Sequence, residues 1–139
     1  MNFFSHKEVM DALAAGLAEA EKRGVAVGIS VVDEGGNLVG SIVMGGAKDA
    51  WLADDSRGKA MVPAVFEGRP SGELQERSNS PMNVWLNTHY GGRLNYLKGG
   101  VPIYRNGQLV GGAGAGGAPL DDDEAIAWVV SEMLGDKRA

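Results

Sequence analysis

The chain has 139 residues, of which 44% are hydrophobic and 22% charged, a balance that suits one globular domain, residues 1–139, and excludes wholesale disorder. With no cysteine, disulfides, iron–sulfur clusters, thiolate zinc sites and a cysteine nucleophile are excluded. Thirteen Lys and Arg against eighteen Asp and Glu leave a net charge of -5, a poor match for nucleic acid, and no apolar run approaches the ~20 residues that cross a bilayer.

The opening stretch, residues 1–8, lacks the charged start, apolar run and small-residue cleavage site of a leader, so the expected address is the cytoplasm. Ser5-His6-Lys7-Glu8 reads as a capping box, with hydroxyl and carboxylate satisfying free amides at a helix start. Val9, Leu13 and Leu17, with Met10 and Ala14 beside them, predict the buried stripe of a helix that ends at Arg23-Gly24. His6 falls in its first turn and is expected in solvent. Residues 25–33 are apolar and β-branched, Glu34-Gly35-Gly36-Asn37 turns the chain, and residues 38–44 return as a second strand.

A second helix is predicted over 47–64, with Trp51, Leu52, Ala60 and Met61 as core contacts and Pro63 ending it early. Residues 67–99 are the least regular part, broken by seven glycines and prolines, with Ser71 as a cap for one helical turn through Leu74. Trp85, His89, Tyr90, Arg93 and Tyr96 gather here, and a loop of this length inside a small domain points to binding. Residues 101–105 and 108–112 flank Asn106-Gly107, the strongest short hairpin signal. After the glycine run 112–117, Asp121-Asp122-Asp123-Glu124 opens a last helix whose acidic first turn suits the helix dipole, with Ile126, Val129, Val130 and Met133 as its stripe. Two hairpins and flanking helices predict an α+β fold with one antiparallel sheet.

Residues 112–117 match G-x-G-x-x-G, but no further parallel strand follows to carry a ribose-binding acid, so close helix–sheet packing is the better reading. His89 is the most chemically capable residue, able to ligate iron or move a proton near neutral pH. With two histidines far apart, a zinc site built on several nitrogens is not expected. Asp54 and Asp55 diverge on a helix and read as solvent-facing, as do Lys59, Glu73 and Glu76, whose alternative is an acid–base set.

Several ordered stretches resemble the GlcG/HbpS-like family. Val31-Val32-Asp33-Glu34-Gly35-Gly36-Asn37-Leu38 is similar to its first hairpin, V-V-D-x-x-G-x-L. Gly99-Gly100-Val101-Pro102-Ile103, Asn106-Gly107 and Val110-Gly111-Gly112 resemble its G-G-V-P-I, glycine turn and V-G-A signature. Lys59-Ala60, Ser71 with Leu74, and Asp123-Glu124 echo its central and last-helix elements. The resemblance implies a profilin-like layout with an antiparallel sheet, homo-oligomers (dimers or larger rings), and kinship to haem-binding and haem-degrading domains and to the C-terminal domain of PduO-type proteins. It makes haem the leading cofactor, with His89 or Tyr90 as iron ligand. The family's R-M-D-G-A stands here as residues 43–47 without the arginine or aspartate, and its V-S-G as residues 115–117 without the hydroxyl, which points to altered ligand chemistry.

Three functions stay open at this point. The first is a small-molecule-binding protein holding haem or a related flat ligand against Trp85, Tyr90, Arg93 and Tyr96. The second is a cofactor-independent enzyme of the proton-transfer, lyase, isomerase or hydrolase type, acting on a small oxygenated metabolite, with His89 or Asp33 moving the proton and Arg93 holding a carboxylate or enolate. The third is an assembly protein whose glycine-rich face is an interface.

Overall fold

The capping box forms as its spacing predicts: Glu8 N–H donates to Ser5 Oγ at 3.1 Å, and Ser5 N–H donates to Glu8 Oε2 at 2.8 Å. The computed structural model describes residues 4–139; the first three, part of the stretch read for a leader, lie outside the described residues. Helix α1 spans His6–Arg23 and ends on Gly24, whose φ of 71° supplies the left-handed cap. Its buried face runs through Val9, Ala12, Gly16 and Ala20, while Leu13 and Leu17 are half-buried and Met10 is exposed. The stripe is therefore built on small residues: a Cβ on Gly16 would sit 2.6 Å from Val130 Cγ2, so the helix can lie close to its neighbours only without one.

Strands β1 (Gly28–Asp33) and β2 (Leu38–Val43) form the first hairpin, and β3 (Gly100–Arg105) and β4 (Gln108–Gly116) the second. The two zip together through β1 and β4 into one antiparallel sheet of order β2-β1-β4-β3, in the register Ile29↔Ala115 and Val31↔Ala113. Asn106 and Gly107 both take positive φ, 51° and 76°, as their turn requires. Pro102 is tolerated because β3 is an edge strand.

Helix α2 (Leu52–Val65) covers one face of the sheet, and α1 with α4 (Leu120–Leu134) covers the other. The strands alternate accordingly. Ile29, Val31, Ala113 and Ala115 enter the core under α1 and α4, whereas Val32 joins Ala60, Met61, Leu74, Leu94 and Tyr96 on the α2 side. A Cβ on Gly112, Gly114 or Gly116 would run into Ala60 O, Ser56 O or Asp55 Oδ2 of α2. The alternating glycines of β4 thus let a helix backbone rest directly on a strand, and the G-x-G-x-x-G string is a packing device.

Helix α2 departs from its predicted limits. It begins at Leu52, and it runs through Pro63 to Val65. Proline removes one hydrogen bond, yet Phe66 N–H still donates to Val62 O and Gly68 N–H to Pro63 O, so the last turn closes around it. The irregular stretch also holds more order than its punctuation implies: a 3₁₀ helix over Ser71–Arg77 and helix α3 over Pro81–His89, the latter capped by Ser80 with Pro81 at its first position. Ser71 is no cap. Its Oγ donates to Leu97 O and accepts from Gly100 N–H, pinning the strand entry. No helix among the described residues is long and apolar enough to cross a membrane.

Candidate functional site

Between the N-terminal half of α2 and the extended segment 92–97 lies a cleft of about 640 Å³. Trp51, just before α2, and Asp54, Asp55 and Arg57 within it line one side, and Arg93, Asn95 and Tyr96 of the segment the other. The wall is held rigidly. Asn95 Nδ2 donates to Asp55 Oδ1 at 2.6 Å, Asn95 N–H to Gly58 O at 3.2 Å, and Leu94 N–H to Asn87 Oδ1 at 2.9 Å. Tyr96 donates its hydroxyl to Asn83 O at 2.8 Å and sets its ring edge-on to Phe66, and burial pushes its pKa up. Gly58 is required at the crossing, because a Cβ there would meet Arg93 O.

Behind the cleft, Asp55 leads into a buried ionic cluster. Its Oδ2 lies 3.5 Å from Lys59 Nζ, which also donates to Asp123 Oδ2 at 3.2 Å and Ala115 O at 3.1 Å. Lys59 and Asp123 are 2% and 1% exposed, so both charges sit away from water. Burial pushes the Asp123 carboxyl up to about 6, even though Lys59 and the N–H of Ala118 act to lower it. The expectation that Asp55 and Lys59 face solvent is thereby corrected, and Asp123, in the acidic first turn of α4, is a partner of Lys59 besides.

On α3, Trp85 and His89 stand one turn apart with rings stacked, 5.4 Å between centroids and 13° between planes, and Tyr90 meets His89 edge-on at 5.0 Å. Trp85 is 61% exposed. Among the described residues the His89 imidazole has no hydrogen-bonding or ionic partner.

The structure thus places Arg93 and Tyr96 in the cleft lining and Trp85, His89 and Tyr90 on the helix and turn that lead into it. Asp33 stands apart at the first hairpin, where Oδ1 accepts from Gly35 N–H and Asn37 N–H, both at 3.0 Å. Sequence reasoning missed Arg57, Asn95 and the Lys59–Asp123 pair. One signal was available: Asp55 and Lys59 are four residues apart on a helix otherwise rich in small and apolar groups.

A cleft of this size accommodates a cofactor-sized ligand, for which ~300–1,000 Å³ is usual. Arg57 Nε is buried without an acceptor, an orphaned donor suited to an anion such as a haem carboxylate. The free His89 imidazole, three residues before the lining segment begins at Gly92, is a nitrogen donor of the kind that holds haem iron. The donor types match the group: an imidazole at His89 suits iron, and the guanidinium cations of Arg57 and Arg93 suit carboxylates.

A four-stranded antiparallel sheet with helices on both faces and a cleft beside α2 define an α+β domain. The chain belongs to the HbpS-like family, described as haem degrading protein HbpS-like, whose model matches residues 4–130. Among solved structures it is similar to a doubly substituted HbpS of Streptomyces reticuli, at 28% identity and TM-score 0.80 over 97% of this chain and 89% of that one. It is similar in fold to the Klebsiella pneumoniae protein ORFY, at 24% identity and TM-score 0.82, covering 96% and 91% of the two chains. The same holds for a PduOC:heme complex, at 23% identity and TM-score 0.80, covering 97% and 99%. No curated protein matches the chain.

Proposed function

We propose that this protein binds haem or a closely related flat tetrapyrrole across α3 and the cleft. The observation that carries the reading is the unpartnered imidazole of His89, stacked on the exposed ring of Trp85 beside a rigid-walled cleft. An imidazole held by ring stacking and left without a hydrogen-bond partner keeps its unprotonated nitrogen free for a ligand. Exposed Trp85 adds apolar surface beside the imidazole, and Arg93 in the cleft lining offers a cation to the carboxylate edge of a macrocycle. The family's description as haem degrading and the haem in the PduOC complex support the same ligand class. Bound haem would supply iron-centred ligand and redox chemistry.

Visible titration with haemin tests the proposal. Wild type should give a saturable Soret shift, His89→Ala should lose the nitrogen-ligated spectrum, and Tyr90→Ala should retain it. A spectrum identical to haemin in buffer, or one unaltered by His89→Ala, would overturn the assignment.

A further inference from the structure

We propose that Arg57 is the anion-binding residue of the cleft and that the ligand class is a flat molecule presenting a carboxylate. This rests on reading the cleft as the ligand site, and it adds what the ligand must carry.

Four observations converge. Arg57 Nε is a buried side-chain donor without an acceptor, and native structures rarely leave one unpaired unless a ligand or ion completes it. Among the described residues no carboxylate pairs with Arg57, although Asp54 and Asp55 line the same cleft. Asp55 is already engaged, with Oδ1 on Asn95 and Oδ2 facing Lys59. The Arg57 backbone cannot drift to find another partner, since it lies between Ser56 and Gly58, both buried against neighbouring backbone.

A guanidinium presents Nε–H and one Nη–H side by side, the spacing of two carboxylate oxygens. Arg93, on the facing segment and likewise without an ionic partner among the described residues, brings a second cation to the same cleft. The cleft lining thus sets Arg57 and Arg93 against Asp54 and Asp55, an even balance in a chain of net charge -5, and Asp55 is already spent on Asn95 and Lys59. The donor left open calls for a planar, two-oxygen anion.

The test compares iron-free protoporphyrin IX, which carries two carboxylates, with its dimethyl ester. Affinity is measured by absorbance titration on wild type, Arg57→Gln and Arg57→Lys, with circular dichroism to verify folding. Wild type should bind the acid about tenfold more tightly than the ester, the scale of one charge-assisted bidentate contact. Arg57→Gln should bring the two within about twofold, and Arg57→Lys, which keeps charge but not the fork, should fall between. Equal affinity of wild type for acid and ester overturns the proposal, and so does an undiminished preference in folded Arg57→Gln. Should that variant not fold, an undiminished preference in Arg57→Lys overturns it instead. If neither porphyrin binds, the tetrapyrrole reading falls by itself, and phthalate then decides. Phthalate binding that the Arg57 variants weaken about tenfold sustains the carboxylate site; no binding ends it.

Discussion

Lys59 Nζ lies 3.2 Å from Asp123 Oδ2, across 64 residues of chain, and the two side chains are almost wholly excluded from solvent. The pair joins α2 to the start of α4, with the strand carbonyl of Ala115 as a third partner of the ammonium. Two buried charges of opposite sign barely compensate their own desolvation, but either one alone is costly. Breaking the pair therefore reveals far more than its net worth.

Lys59→Met should destabilise the protein by about 3–5 kcal/mol in urea unfolding at pH 7.5, because it strands Asp123 and Asp55. Lys59→Met combined with Asp123→Asn should cost clearly less than the two single changes added together. Strict additivity would mean that the two groups do not act as a pair.

Acid should relieve the cluster. Asp123 titrates at about 6 in the folded state against an ordinary value of 3.8. A raised folded value means that the native state holds the proton more tightly, so this group's stabilising contribution is complete below about pH 4. It is then lost as pH rises through about 6, amounting to roughly 3 kcal/mol at most. Glu8, Asp121 and Glu132, held below the usual carboxylate range by hydrogen bonds to Ser5, Lys98 and Arg138, act in the opposite sense at lower pH. The measurement is therefore a difference: the stability of Asp123→Asn minus that of wild type should rise between pH 4 and 6.5. A flat difference would show that Asp123 ionises normally.

The packing role of β4 predicts a sharp contrast between glycines. A methyl group at Gly114 meets Ser56 O and lies 2.7 Å from Ala60 N, both rigid backbone, so Gly114→Ala should lose about 2–3 kcal/mol. Gly45 has open space and ordinary φ, and Gly45→Ala should stay within about 0.5 kcal/mol. Thermal unfolding of the two variants side by side checks this.

Asp33 accepts two backbone N–H groups within the first hairpin turn, and Asn37 Nδ2 approaches its other oxygen at 3.4 Å. Asp33→Ala should cost about 1–2 kcal/mol and change porphyrin affinity by less than about twofold. A variant of full stability that fails in ligand chemistry would return Asp33 to a proton-transfer role.

The family resemblance and the fold were legible because both rest on short-range signals. Ser5 and Glu8 are three residues apart, Asn106 and Gly107 adjacent, and the first hairpin turn reads in a single pentapeptide, so each acts through bonds formed within its own turn. Helix α3 was obscured because Pro81, which starts it, reads equally as a breaker, and Pro63 misled in the other sense by sitting in a last turn that could absorb it.

The residues of the site divide along the same line. Chemistry available to a single side chain, such as the imidazole of His89 or the cation of Arg93, could be named from its type and from the irregular segment that holds it. The partnership of Lys59 with Asp123, the orphaned donor of Arg57 and the course of segment 92–97 past α2 could not. Those depend on the β1–β4 register and on alternating glycines that let α2 settle onto the strand. Sequence by itself determined the two hairpins and helices α1, α2 and α4, because backbone preference acts over a few residues. Tertiary structure alone decided which charges meet and which are left wanting a partner, because burial and distance arise only when remote elements pack.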